Sequence, residues 1–113
     1  MSSGFQEREE GNEAKFKHDS DVRFRIEARR NKLLGEWAAG KMGLEGDAFE
    51  RYPIDLVKAD IQEPGDEDVL DKLKADFAAH GVDISEEMIC QRMAELESVA
   101  TDQVHGEGYG TDD

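Results

Sequence analysis

The stretch VRFRIEARRNKLLGEWAAGKMG, Val22–Gly43, decides the fold. Val22, Ile26, Leu33, Trp37 and Ala38 recur at helical steps and form one apolar stripe, which Ala28, Leu34 and Met42 widen. Arg23, Arg25, Arg29, Arg30 and Lys32 fall mostly outside it. The pattern predicts one long amphipathic helix from Asp19 to Met42, with Gly40 and Gly43 as C-terminal stop signals. Trp37 belongs to the stripe and reads as a core residue, and Gly35 beside it suggests a close helix approach.

Working outward from this helix, three more amphipathic segments follow. Residues 47–61 place Ala48, Phe49, Tyr52, Leu56 and Val57 on one side, with Pro53 expected to kink or split the element. After the Pro64-Gly65 turn, residues 66–80 turn Val69, Leu70, Leu73 and Phe77 inward, and Gly81 closes the helix. A D-I-S-E capping box, Asp83 to Glu86, opens a fourth helix that carries Met88, Ile89, Met93, Leu96, Val99 and Ala100 to about Gln103. No alternating strand pattern and no internal repeat occurs, so the fold class is all-α, a four-helix bundle spanning residues 19–104. Residues 105–113 are expected to be a disordered acidic tail.

Upstream lies a charged arm, residues 1–18. Between Phe5 and Asp19 its only apolar side chains are Phe5, Ala14 and Phe16, too few to offset the entropy of ordering the segment. Phe5 and Phe16 are eleven residues apart, about three helical turns, so a helix would set them on one side with charged neighbours around them. The arm is thus expected to be flexible or partly helical when free, Gly11 and Asn12 weakening its middle, and to fold against a partner.

The chain of 113 residues carries a net charge of −14, unevenly spread. Residues 1–43 hold nine Lys or Arg against eight Asp or Glu, and residues 44–113 hold five against twenty. An acidic body of this kind disfavours nucleic acid and anionic membrane surfaces, within the roughly 8 Å that screening at physiological salt allows. A single cysteine, Cys90, cannot form an internal disulfide; its place in an apolar helical pattern predicts a buried or partly buried thiol and a reducing compartment. No apolar run approaches the roughly 20 residues that span a bilayer, and the acidic N-terminus lacks the features of a secretory signal, so a cytoplasmic protein without membrane insertion is expected.

Three long motifs are specific: FQEREEGNEAKFKHD (residues 5–19), EARRNKLLGEWAAG (residues 27–40) and EPGDED (residues 63–68). In these the chain resembles the ζ subunit inhibitors of the α-proteobacterial F-type ATP synthase, most closely over residues 5–77; beyond Ala78 only the pattern is similar. The resemblance implies a four-helix regulatory protein, not an enzyme, whose N-terminal arm enters the F1 head and blocks ATP hydrolysis. Its partners would be the α, β and γ subunits of that head, so that a cytoplasmic protein becomes associated with the membrane-bound synthase. On residue chemistry, Phe5, Ala14 and Phe16 are the candidate apolar contacts with F1, and Arg8, Glu9, Glu13 and Lys15 the candidate charged ones.

Other constellations read as follows. Asp66, Glu67 and Asp68 lack the spacing of a calcium loop and suit the first turn of a helix, so no metal is assigned. His18, His80 and His105 have no partners at metal spacing, and no nucleophile is flanked by a base, so no catalytic machinery is visible. Arg29, Arg30 and Lys32 could contact the phosphates of ATP or ADP through side chains alone, giving weak binding and an alternative reading as an adenine-nucleotide-binding helical module; otherwise no cofactor is expected. RNA is disfavoured because Phe24 and Trp37 form no stacking platform.

Overall fold

The computed structural model describes the backbone of residues 2–107 and the side chains of residues 20–107. Four helices follow one another: α1 (Ser2–Lys41), α2 (Gly46–Gln62), α3 (Asp66–Ala79) and α4 (Glu86–Gly106). No strand occurs among the described residues. The first helix runs without interruption through both the arm and the Arg-rich segment. Residues 2–18 thus share one helix with the bundle, and the high helix propensity of their Glu, Gln, Lys, Arg and Ala residues offsets Gly11 and Asn12.

Two helices end by the same device. Gly43 and Gly81 take φ of +74° and +70°, which lets the next residue turn back and bond the last helical turn. Leu44 N donates to Ala39 O at 3.0 Å and Val82 N to Phe77 O at 2.8 Å. Gly40, expected to help stop α1, lies inside it. The fourth helix is capped by Ser85, whose Oγ accepts from Met88 N at 3.1 Å, and not by the Asp83–Glu86 box. At its other end α4 continues past Val104 to Gly106, and Glu107 N bonds back to Gln103 O and Val104 O, both at 3.1 Å. Residues 105–107 therefore belong to α4 and its cap and not to a tail.

Leu34, Ala38 and Ala39 from α1 and Met42 just after it meet Tyr52 and Leu56 from α2, Val69, Leu73 and Phe77 from α3, and Ile89 and Met93 from α4. Trp37 packs edge-on against Phe77, ring centroids 5.7 Å apart, as its place in the stripe predicts. Tyr52 donates its hydroxyl to Asp76 Oδ2 at 2.7 Å, and the Lys72 ammonium lies over the Tyr52 ring, 5.4 Å from its centroid. Burial, reinforced by that hydrogen bond, pushes the Tyr52 phenol well above its usual range.

The buried line of α1 differs from the predicted stripe by about one residue. Arg30, Asn31, Leu34, Gly35, Ala38, Ala39 and Met42 are buried, while Val22, Ile26, Leu33 and Trp37 are only half-buried at its margin. Ala48, Met88 and Val99, read as inward, are exposed. Cys90 is exposed as well, because the buried line of α4 runs through Ile89, Met93, Ala100 and Val104.

Pro53 neither splits α2 nor lies at its start; it is buried within the helix. The approach expected at Gly35 is made to this proline: a Cβ on Gly35 would lie 2.5 Å from Pro53 Cα. The two residues fit because each lacks something, a side chain on one and a backbone N–H on the other. Gly35→Ala should therefore destabilise the protein by about 2 kcal/mol despite alanine's better helix propensity, because the helices must part. Urea unfolding checks this as a lower midpoint at unchanged m-value.

Candidate functional site

Arg30 is 1% exposed, the largest side chain among the fully buried ones. A guanidinium cannot shed its charge, so its burial requires partners on every side. Its Nε and Nη2 donate to Asn31 Oδ1 at 3.1 and 3.0 Å, and Nη1 donates to Asp66 Oδ1 at 2.9 Å and Glu97 Oε1 at 3.2 Å. Asn31, equally buried, passes the connection on: its Nδ2 donates to Asp60 Oδ2 at 2.8 Å. Asp60 Oδ1 in turn accepts from Gly65 N at 3.3 Å, at the turn that opens α3. The chain of bonds links α1, α2, the α2–α3 turn, α3 and α4. It also brings the EARRNKLL and EPGDED motifs together.

This network is surrounded by more acid than it can neutralise. Burial raises the pKa of Glu27 from its usual 4.5, the charge of Asp60 raises it further, Arg30 opposes both, and Asp66 and Glu97 add to the rise. Asp66 completes the first turn of α3 with Glu67 and Asp68, as the helix-dipole reading predicts, and holds Arg30 in addition. No group of His, Cys, Asp and Glu suited to a metal ion occurs among the described residues.

The second feature is a groove of about 810 Å³ between α1, α2 and the end of α4. Phe24, Ile54 and Val57 give it an apolar floor, and Arg25, Arg29, Lys32 and Lys58 give it positive charge. Phe24 and Ile54 are 55% and 54% exposed. Arg29 spans its wall, donating from Nη1 to Gln103 Oε1 at 2.9 Å and from Nη2 to Glu107 Oε2 at 2.6 Å.

The candidate nucleotide contacts are thus separated. Arg29 and Lys32 line the groove, whereas Arg30 faces the interior and is fully engaged. Arg25 and Lys58 join the groove instead; Lys58 comes from another helix, and no spacing in the sequence connects it with Arg29. The side chains of Phe5, Arg8, Glu9, Glu13, Ala14, Lys15, Phe16 and His18 lie outside the described residues, although their backbone belongs to α1. No described helix is long and apolar enough to cross a membrane.

Removing the guanidinium strands Asn31 and leaves a void. Arg30→Ala should cost about 3 kcal/mol, and Arg30→Lys should recover less than half of that, since one ammonium cannot reach Asn31, Asp66 and Glu97 together. Chemical denaturation measures both. For Glu27 the sign runs the other way: a carboxyl with a raised folded pKa keeps a proton that the unfolded chain releases, so its charge weakens the fold at neutral pH and the effect fades as pH falls through that pKa. Glu27→Gln should stabilise the protein at pH 7 by up to about 0.5 kcal/mol at this exposed position, seen as a higher Tm, and the gain should vanish below the unfolded value of 4.5, as thermal melts across pH would record.

Among curated proteins none matches the chain. A family model does, over residues 1–103, which takes in the arm, both motifs of the buried network and most of α4. The chain belongs to the family described as ATPase inhibitor subunit zeta.

Proposed function

We propose that this protein inhibits ATP hydrolysis by the F1 head of an F-type ATP synthase, with residues 2–18 acting as a helical wedge at a catalytic interface. Membership of an ATPase inhibitor family supports the general role. The observation that carries the mechanism is the continuity of α1: arm and bundle are one helix from Ser2 to Lys41. A rotary ATPase turns over only by cycling its interfaces between open and closed shapes. A wedge that binds one shape better holds the machine there, and the bundle serves as its handle. Phe5, Ala14 and Phe16 would supply apolar anchorage and Arg8, Glu9, Glu13 and Lys15 the charged contacts, against α, β and γ subunits. The working location is then the cytoplasmic face of the membrane-bound enzyme.

A second reading draws on the groove. Its basic rim and exposed Phe24 suit the phosphates and base of an adenine nucleotide, held by Arg25, Arg29, Lys32 and Lys58 without Arg30. Titration with ATP followed by nuclear magnetic resonance would move Phe24, Lys32 and Lys58 saturably; an unchanged spectrum disposes of this reading.

The test of the main reading is ATP hydrolysis by purified α-proteobacterial F1. Full-length protein should inhibit and a form lacking residues 1–18 should not; equal inhibition by both, or none by either, overturns the wedge. Any fraying of the outer end of α1 opposes binding, so a better helix should inhibit better. Gly11→Ala, worth about 1 kcal/mol of helix propensity, should lower the half-inhibiting concentration roughly fivefold. Phe16→Ala should raise it.

A further inference from the structure

We propose that the groove between α1, α2 and the end of α4 is the docking site of residues 108–113 of this same chain, Gly-Tyr-Gly-Thr-Asp-Asp. Three observations converge on this occupant. The first is where the helix delivers the chain. Val104 and Glu107 line the groove, and Arg29 already holds the Glu107 carboxylate at 2.6 Å, so the last described residue stands at the groove wall. Six extended residues reach up to about 20 Å from Glu107, and Lys58 lines the same groove.

The second is charge. In a protein with a net charge of −14, four of its 14 cations line this groove against two acids, Asp21 and Glu107, and Lys58 is one of only five cations beyond residue 43. Lys32 and Lys58 make no ion pair among the described residues. Residues 108–113 carry Asp112 and Asp113 and no cation. The third is apolar surface. Phe24 and Ile54 both line the groove and stay more than half exposed, and the segment offers one aromatic, Tyr109, set between two glycines that let the backbone approach closely. In the docked form Tyr109 covers Phe24 and Ile54, and Asp112 and Asp113 lie against Lys32 and Lys58. An anionic ligand would have to displace them.

The experiment compares ¹H–¹⁵N spectra of residues 1–113 with those of a chain ending at Glu107, and records the dynamics of the segment in the longer form. Docking predicts amide shifts on truncation at Phe24, Lys32, Ile54 and Lys58, contacts between the Tyr109 ring and the Ile54 methyls, and slowed fast motion at Asp112 and Asp113. The double variant Lys32→Glu/Lys58→Glu alters only exposed side chains and keeps the fold; in it, and at high salt, the segment should be released. Shifts confined to residues 103–107, with free-chain motion at Asp112, overturn the proposal. So do groove shifts that depend on protein concentration, which mean a second copy, and so does equal affinity for ATP with and without residues 108–113.

Discussion

One buried guanidinium organises this protein. Arg30 must be surrounded by acceptors or it could not be inside at all, and each acceptor comes from a different part of the chain: Asn31 from α1, Asp66 from the start of α3, Glu97 from the middle of α4. Asn31 extends the demand to Asp60 on α2. A core of leucines and alanines tolerates sliding between helices, because apolar contacts are not directional. Directional bonds from one point to every element fix their register, which is the best-attested use of buried polar groups. The small size of the domain makes this more pressing: few apolar side chains are available, and both Ala38 and Ala39 sit where larger residues would fill a larger core.

The same constraint explains why α1 is so unlike the other helices. Its inner half is buried against α2 and α4, and its outer half, residues 2–18, has little apolar content of its own. A segment with that composition gains helical order most cheaply by extending a helix that already exists, since only propagation and not nucleation is needed. The bundle thereby acts as the nucleus for the arm. The acidity of residues 44–113 contrasts with the nearly neutral first 43 residues and disfavours adhesion of the body to anionic surfaces.

Much of the fold was legible in the residues. Periodicity located four helices and their order, the turn at Pro64 and Gly65 located the start of α3, and Gly43 and Gly81 located two ends. What failed shares a cause. A hydropathy stripe places arginine outside whatever its partners, so it missed Arg30, whose acceptors Asp66 and Glu97 lie 36 and 67 residues further on. Pro53 looked like a break because the sequence does not reveal that its missing donor faces Gly35. Ser85 was hidden by a better-looking acid two residues earlier, and the last turn of α4 by the glycines after it. The groove was half visible: Arg29 and Lys32 could be named from one helix, but Lys58 and Ile54 arrive only through tertiary packing.

The unbroken course of α1 also has a mechanical meaning. A load applied to the outer end of this helix, along its axis, reaches the bundle as shear across its long seams with α2 and α4, so that many contacts resist together and not one after another. Torque is met in the same way, because rotating α1 about its own axis would tear Arg30 and Asn31 from three other helices at once. In the proposed role of residues 2–18 as a stop in a rotary enzyme, the mounting and the stop are a single piece of backbone.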